Sequence, residues 1–369
     1  MIHFLVPAAG AFSVDEYLTK ENQAFRDRFR VIRYEDLASQ PGFRRGAYAL
    51  AGLDQLSASA GRSVVSLCEQ LRAAGGVRFL NSPTGTLRRV ALINTLHRLG
   101  RSDFRIVRAG DDLRDLRYPV YLRQERFHGG NISPLLNSPA EVERALGHAV
   151  LAGYPWHDIL VVEFCPTANA DGVYRKYAAF RVGPTVLARS CYVGRQWMLK
   201  FDGSEFTRST VSEESGYVRN NPHADQLMEI FDIAGVEYGQ IDYSIKGGRI
   251  QPWEINLNPT IGRLPGPSGG VGPKELWPIR DATREYFFER FREAWVAIDP
   301  PGTDDSPVPA IAVPPIAVRP PRLAPSRTAT LIRSALRPVK RMLLPLSGPW
   351  LRIIAVAMRF TAKRDRSPC

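Results

Sequence analysis

The sequence predicts an α/β protein, and three observations carry that prediction. Short apolar strands alternate with helical stripes through roughly the first 80 residues. Paired runs of alternating polarity follow, the clearest of them folding about Gly247-Gly248. The composition, 44% hydrophobic and 23% charged over 369 residues, is that of a soluble globular protein of two or three domains.

The first strand is Ile2 to Val6, and its lack of a basic flank argues against a signal peptide. A helical pattern then runs through Phe25 and Phe29, with Ser13 as N-cap and Glu16 closing a capping box. Strands are expected at Arg30 to Tyr34 and Ala47 to Leu53, and a helix over Ser63 to Ala74, stopped by Gly75-Gly76. This β-α-β-α order predicts a small open α/β domain over residues 1–80. Phe79 to Pro83 ends a strand, and Leu87 to Leu99 carries a helical stripe ended by Gly100. Strands follow at Phe104 to Val107 and Pro119 to Arg123, then a helix over Ala140 to Leu151. Ile159 to Phe164, Tyr174 to Val182 and Thr185 to Tyr192 are expected strands, and Asn221 to Ala234 a helix. Residues 81–298 are thus read as one α+β domain.

Beyond residue 298 the pattern changes. Nine prolines fall in residues 299–325, so 299–327 is expected to be an extended linker. Residues 328–369 form a basic amphipathic tail, helical in short pieces or disordered. Ten arginines and two lysines after residue 318 face one acid, Asp365, and account for almost all of the net charge of +12. The body of the protein is therefore near neutral, so the high net charge says little about what the body binds. The apolar residues among the charges of 328–363 suit an anionic membrane surface better than nucleic acid, and no run there is long enough to span. Four scattered cysteines exclude a disulfide framework and a structural zinc site, and fit a reducing, cytoplasmic setting or the inner face of a membrane.

The segment Tyr238 to Asn256 carries the chemistry. A three-residue loop, Gly247-Gly248-Arg249, puts Asp242 opposite Glu254, with Asn256 on the same face. Two carboxylates at that distance repel, and a hard divalent cation with phosphate oxygens resolves the repulsion. A two-residue loop would send the acids to opposite faces, and Pro252 pulls its strand toward an edge or a bulge. The plainer alternative is a pair of solvated acids. The alternation of Ile241, Ile255 and Leu257 with the polar set favours a built face.

Here the chain resembles the ATP-grasp proteins. The resemblance rests on Gln240-Ile-Asp242 and Trp253-Glu254-Ile-Asn256-Leu-Asn258-Pro259, and extends more weakly over residues 79–262. It implies a small pre-ATP-grasp domain followed by two α+β subdomains that grip ATP. It implies that Asp242, Glu254 and Asn256 ligate Mg²⁺, as one or two ions that Mn²⁺ can replace. Arg123 stands on the strand that carries a phosphate-binding lysine, and His128-Gly129-Gly130 matches the loop that closes over phosphate. Arg89 stands where the family has its other basic ATP contact, Glu163 and Phe164 where adenine is lined, and Lys176 near the nucleotide. Arg175, Arg189 and Lys200 are the candidates for catalytic contact with phosphate or an anionic substrate. Arginine replaces lysine at positions 89 and 123, which keeps charge but changes shape. The glycine-rich stretch Gly266 to Pro273 is a loop between prolines, and GxxxxGK[ST], HExxH, GxSxG and GxGxxG are absent.

The activity this implies is an ATP- and Mg-dependent ligase. It would activate a substrate carboxylate as an acyl phosphate for attack by an amine or similar nucleophile. The alternatives are a phosphotransferase, or a non-catalytic nucleotide-binding scaffold attached to a membrane by its basic tail.

Overall fold

Two kinds of sheet build the chain, and each follows from its sequence pattern. The computed structural model describes residues 1–126, 130–262, 272–300, 302–316 and 318. Residues 1–92 with 167–320 make one unit, and residues 93–166 belong to the other. These units cut the chain differently from the boundaries at 80 and 298 expected above. The His128-Gly129 part of the expected phosphate loop, residues 263–271 and the tail 319–369 lie outside the described residues.

In the first unit, β1 (Ile2–Val6), β2 (Phe29–Arg33), β3 (Gly46–Leu50) and β4 (Val77–Leu80) form a parallel sheet in the order β2-β1-β3-β4. β1 and β3 are buried along their whole length, as a central parallel strand requires. Helix α2 (Ala58–Ala74) starts at Ser57, whose hydroxyl accepts from Ala60 N, and ends at Gly75. The long helix expected from Ser13 is not formed. Instead α1 (Phe12–Glu16) is one short turn, followed by a π turn over Tyr17–Glu21 and a 3₁₀ run over Gln23–Arg28. Ser13 caps nothing. Its buried hydroxyl donates to Pro259 O at 2.6 Å and accepts from Ile261 N at 2.9 Å, a long-range tie that overrides the local capping signal.

The same unit holds an antiparallel sheet of β8 (Tyr174–Val182), β9 (Thr185–Gly194), β10 (Tyr238–Lys246) and β11 (Arg249–Asn256), ordered β11-β10-β8-β9. Helices α5 (Arg208–Asn220), α6 (Ala224–Ala234) and α7 (Trp277–Ile298) pack against it. Neither α5 nor α7 was expected. The sequence of α5 is rich in Ser, Thr and Gly with poor helix propensity, and Thr207 with Thr210 supplies the capping box that starts it. α7 buries Phe287, Phe291 and Trp295 at helical spacing, and these rings meet Phe4, Tyr17, Phe180 and Tyr238.

The second unit is a three-stranded antiparallel sheet, β5 (Ile106–Arg108), β7 (Ile159–Glu163) and β6 (Val120–Gln124), in the order β5-β7-β6. One face of it, with Val120, Leu122, Ile159 and Val161, packs on Val142, Leu146 and Ala149 of α4 (Pro139–Leu151). Helix α3 (Arg89–Arg98) begins in the first unit and ends in the second.

Residues after 298 form no named helix or strand among those described, as the prolines dictate. They are nonetheless not a free linker at their start, which corrects the expectation for 299–308. Asp299 is buried and receives the Met1 ammonium at 2.7 Å and Arg28 at 2.8 Å. Arg45 N then donates to Ser306 O, and Val308 N to Phe43 O. No helix among the described residues is long and apolar enough to cross a membrane.

Two features of this scaffold are testable. Asn81, buried and with φ of 73°, donates to Leu50 O and Tyr238 O and accepts from Glu237 N and Tyr238 N. It ties the parallel sheet to the start of β10, so Asn81→Ala strands several buried groups in a strained backbone. We expect a loss of about 3 kcal/mol or more in urea unfolding. His3 is buried, stacks on Tyr48 and donates from Nε2 to Arg45 O at 3.3 Å. Burial lowers its pKa to about 4, the Arg45 bond opposing and Arg30 assisting. The unfolded chain therefore binds more protons between about pH 4 and 6.5, and stability falls as pH drops through that window. Relative to pH 7, stability at pH 5 should fall by about 2 kcal/mol, and His3→Phe should remove that part of the slope.

Candidate functional site

β10 and β11 meet in a two-residue turn, with Gly247 and Gly248 at φ of 56° and 74°. Both positive angles suit the primed turn of a tight hairpin. The expected three-residue loop is therefore corrected: Lys246 pairs with Arg249. Left to itself, this register would put Asp242 opposite Trp253 and send Glu254 to the other face. The register shifts between Asp242 and Tyr243, where Tyr243 pairs with Pro252 and Asp242 with Glu254. Trp253 is the extra residue. Pro252 has no N–H for the ladder and sits where an edge strand with a bulge tolerates it. The Trp253 indole anchors the bulge by donating to Ser244 Oγ at 3.0 Å.

The bulge returns the two acids to one face. Gln240 pairs with Asn256 in the same register, so both strands add an amide to that face. Asn256 Oδ1 accepts from Asn258 N at 2.9 Å, and Gln240 Nε2 donates to Asp242 Oδ1 at 2.9 Å. Gln240 and Asn258 belong to the resembling segment, but the sequence assigned neither a role in the site. The two-residue spacing Gln240–Asp242 and the Asn-x-Asn-Pro string carry the signal for them.

Positive charge converges on the acids. Lys176 of β8 stands diagonally across from Asp242, and its Nζ lies 2.6 Å from Oδ2. Burial works against the Lys176 ammonium, but Asp242 first and Glu254 after it overcome that, and its pKa is raised. Arg89, the first residue of α3, is paired with Glu254 through Nη2 and Oε2, with side chains 5% and 12% exposed. Two carboxylates and two cations thus meet in one largely buried cluster within the first unit.

Other expected residues lie elsewhere. Arg175 precedes Lys176 on the strand, so it faces the other way and binds Glu213 of α5 at 2.5 and 3.2 Å. That parity turns its side chain away from the face that carries Lys176 and Asp242. Arg189 is the extra residue of a bulge in β9, and its guanidinium stacks on Phe287 and Phe288 of α7, 4.4 and 5.3 Å from the ring centres. Burial lowers its pKa, against the pull of Tyr192 and Glu214. Lys200 is exposed ahead of a 3₁₀ turn.

In the second unit, Arg123 is buried on β6, on the sheet face opposite Leu122. Gly130 is described at the far edge of the expected phosphate loop, with φ of 99°. Glu163 is 2% exposed, and its carboxylate accepts from Arg105 Nε, Arg105 Nη2, Arg105 N and Arg117 N. Those bonds tie the Glu163 carboxylate to Arg105 and Arg117 inside its own unit. Phe164 N donates to Pro119 O, holding the next strand.

No group of three or more His, Cys, Asp or Glu side chains capable of holding a metal forms among the described residues. Asp242, Glu254 and Asn256 still suit a hard divalent ion in donor type: two carboxylates and an amide oxygen that keeps one lone pair beside its bond to Asn258. Three donors leave positions in such a shell for water or ligand oxygens.

No family model and no curated protein sequence matches this chain. Several solved structures are similar to it. A D-alanine–D-alanine ligase from Bacillus anthracis, complexed with ATP, is 14% identical with a TM-score of 0.43, over 79% of this chain and 99% of that one. The D-alanine–D-alanine ligase from Helicobacter pylori is 13% identical with a TM-score of 0.42, over 81% and 98%. A RimK domain ATP-grasp protein from Sphaerobacter thermophilus is 14% identical with a TM-score of 0.39, over 79% and 99%.

The ion pairs of the cluster are open to a double-mutant cycle. Lys176→Met and Asp242→Asn should each destabilise the chain by about 3 kcal/mol, and the double variant by at least ~1 kcal/mol less than their sum. Urea unfolding measures all three, and simple additivity would mean that the two side chains do not interact.

Proposed function

We propose that the chain is an ATP- and Mg-dependent ligase that converts a substrate carboxylate to an acyl phosphate for capture by an amine or similar nucleophile. The observation that carries this reading is the cluster on the β10–β11 hairpin. A bulge places two acids and an amide oxygen side by side, and two basic side chains reach them from β8 and α3. Like charges are costly at cross-strand distance, and a fold that adds a bulge to bring them together has a use for them.

Asp242, Glu254 and Asn256 would hold the divalent ion, which would supply charge to phosphate oxygens and a fixed point for the polyphosphate. Lys176 and Arg89 would bind phosphate oxygens, Lys176 as a mobile point charge and Arg89 as a planar fork. In the reaction, a substrate carboxylate oxygen bonds to the γ-phosphorus as the bond to the bridging oxygen breaks and ADP departs. The nucleophile then attacks the acyl carbon and inorganic phosphate leaves. The protein's contribution is to neutralise the triphosphate and align the attacking oxygen. On the resemblance in sequence, Arg123 is proposed as a phosphate contact and Phe164 as an adenine contact.

One observation favours a second reading, a nucleotide-binding scaffold without turnover. Both carboxylates already carry a cation from the protein itself, so the cluster is stable as it stands. ADP release separates the readings. A ligase releases ADP only when an acid and an amine are both present, a phosphotransferase needs one alcohol, and a scaffold binds ATP and releases nothing.

Asp242→Asn and Glu254→Gln should each lower Mg-dependent ADP release by 100-fold or more, with unchanged circular dichroism. Arg175→Gln, whose side chain faces α5, should change it less than threefold. Full turnover in either carboxylate variant would remove the metal assignment.

A further inference from the structure

We infer that Tyr217, Tyr243 and His223 form a one-way hydrogen-bond chain behind the sheet face of Asp242, and that this chain makes them positioning residues for the proposed divalent-ion site. The inference rests on the metal assignment proposed above. It adds the groups that fix the place of Asp242 from the other side of the sheet.

The direction of the chain follows from its last acceptor. Tyr217 Oη lies 3.0 Å from Ala178 O and 2.8 Å from Tyr243 Oη, and Tyr243 Oη lies 2.9 Å from His223 Nδ1. Burial raises the pKa of both phenols, so each keeps its single proton. A backbone carbonyl only accepts, so the Tyr217 proton goes to Ala178 O. Tyr217 Oη then accepts from Tyr243. Tyr243 Oη, with its own proton engaged, accepts from His223. The neutral imidazole is therefore held as the Nδ1–H tautomer, with Nε2 bare.

The chain stands where the sheet departs from regular pairing. Asp242 is the cross-strand partner of Ala178, and the register of β10 with β11 shifts between Asp242 and Tyr243. The register of β8 with β9 shifts at the same level, between Ala178 and Ala179. Two bulged strands thus flank the central pair at the rung that carries Asp242. Tyr243 follows Asp242 and so points to the opposite face. There its ring stacks on that of Tyr177, with centres 5.4 Å apart, and the His223 ring abuts both. Tyr217 belongs to the last turn of α5, and His223 directly precedes α6. The turn between these helices is therefore tied to β8 through Ala178 O and to β10 through Tyr243. Phenylalanine could fill this interior, as Phe287 and Phe291 do along α7. Polar tips that satisfy one another define a single arrangement of the rings instead. That arrangement fixes the rung on which Asp242 stands, and a metal contact needs placement to within about 0.5 Å.

The test uses the full chain. Nuclear magnetic resonance of ¹⁵N-labelled histidine reads which nitrogen of His223 is protonated, and calorimetry reads the affinity for Mn²⁺ with a non-hydrolysable ATP analogue. At about pH 8, where histidine is neutral, His223 should carry its proton on Nδ1. Tyr243→Phe removes the acceptor and should abolish that preference. Tyr243→Phe and Tyr217→Phe should each bind the Mn²⁺–analogue complex at least fivefold more weakly, with unchanged circular dichroism. His223→Leu should weaken it at least threefold. His223→Asn, whose amide N–H can stand in for Nδ1–H, should stay within twofold of the natural chain. Tyr48→Phe is the control: it removes a buried hydroxyl that donates to Arg44 O at 2.6 Å, at the parallel sheet. It should lower the urea midpoint and leave the affinity within twofold.

A bare Nδ1 in the natural chain would overturn the inference, as would unchanged affinity in both tyrosine variants or an equal loss in Tyr48→Phe. Should Tyr243→Phe fail to fold, Tyr217→Phe and the two His223 variants carry the test. Asp242→Asn separates the two levels. If it abolishes binding of the Mn²⁺–analogue complex while the tyrosine variants bind as before, the metal assignment stands and the positioning role falls. If it leaves that complex bound as before, the metal assignment itself falls, and the positioning role with it.

Discussion

Two carboxylates forced together by a strand register are the constraint around which the first unit is organised. Asp242 and Glu254 are direct cross-strand partners, a pairing that is repulsive unless positive charge is at hand. The structure supplies it from two separate places in the sequence, β8 through Lys176 and the start of α3 through Arg89. Neither cation is local to the hairpin. The cluster therefore exists only when the antiparallel sheet has formed and the chain entering α3 has reached it. A local motif becomes a site through tertiary structure.

The bulge shows how much of this was legible and how. The sequence reading reached the right pairing through the wrong turn. Gly247-Gly248-Arg249 was read as a three-residue loop, whereas the chain turns on two glycines and recovers the missing residue at Trp253. Pro252 had pointed to a bulge or an edge strand, and both are present. Strands with dense apolar runs, such as Ile159–Glu163, were readable because burial on a sheet leaves a strong mark. Helix α5 was not, because its Ser, Thr and Gly content carries no propensity signal and packing alone sustains it. The aromatic stripe of α7, Phe287, Phe291 and Trp295, was present in the sequence and went unread.

Charged residues proved harder than elements, for a physical reason. A basic residue on a strand has two possible faces, and only the pairing with other strands shows which face carries the chemistry. Arg175 and Lys176 are adjacent, and one residue of parity separates a salt bridge to α5 from a place beside Asp242. Arg189 lies in a bulge, where alternation fails, and it stacks on the rings of α7. Glu163 is invisible as a structural tie without Arg105 and Arg117, which are distant in sequence and meet it only in the folded second unit. A list of basic and acidic positions overestimates the number of ligands, because folding engages most of them internally.

The parallel sheet does more than support the site from a distance. The chain leaving β11 is gripped by the loop after β1: Ser13 bridges Pro259 and Ile261, and Asn258 Nδ2 donates to Gly10 O. The approach is so close that a Cβ on Gly10 would stand 2.0 Å from the Asn258 amide nitrogen, so only glycine fits there without displacement. Gly52, at the end of β3, donates its N–H to Leu257 O from the same side. Asn256 therefore sits between a paired strand and a clamped loop, with its side chain oriented by Asn258 N. An exposed hairpin of solvated acids would need none of these ties. Their presence argues that the position of Asn256 is defined by two sheets at once, the kind of fixed placement that its proposed role as a metal contact requires.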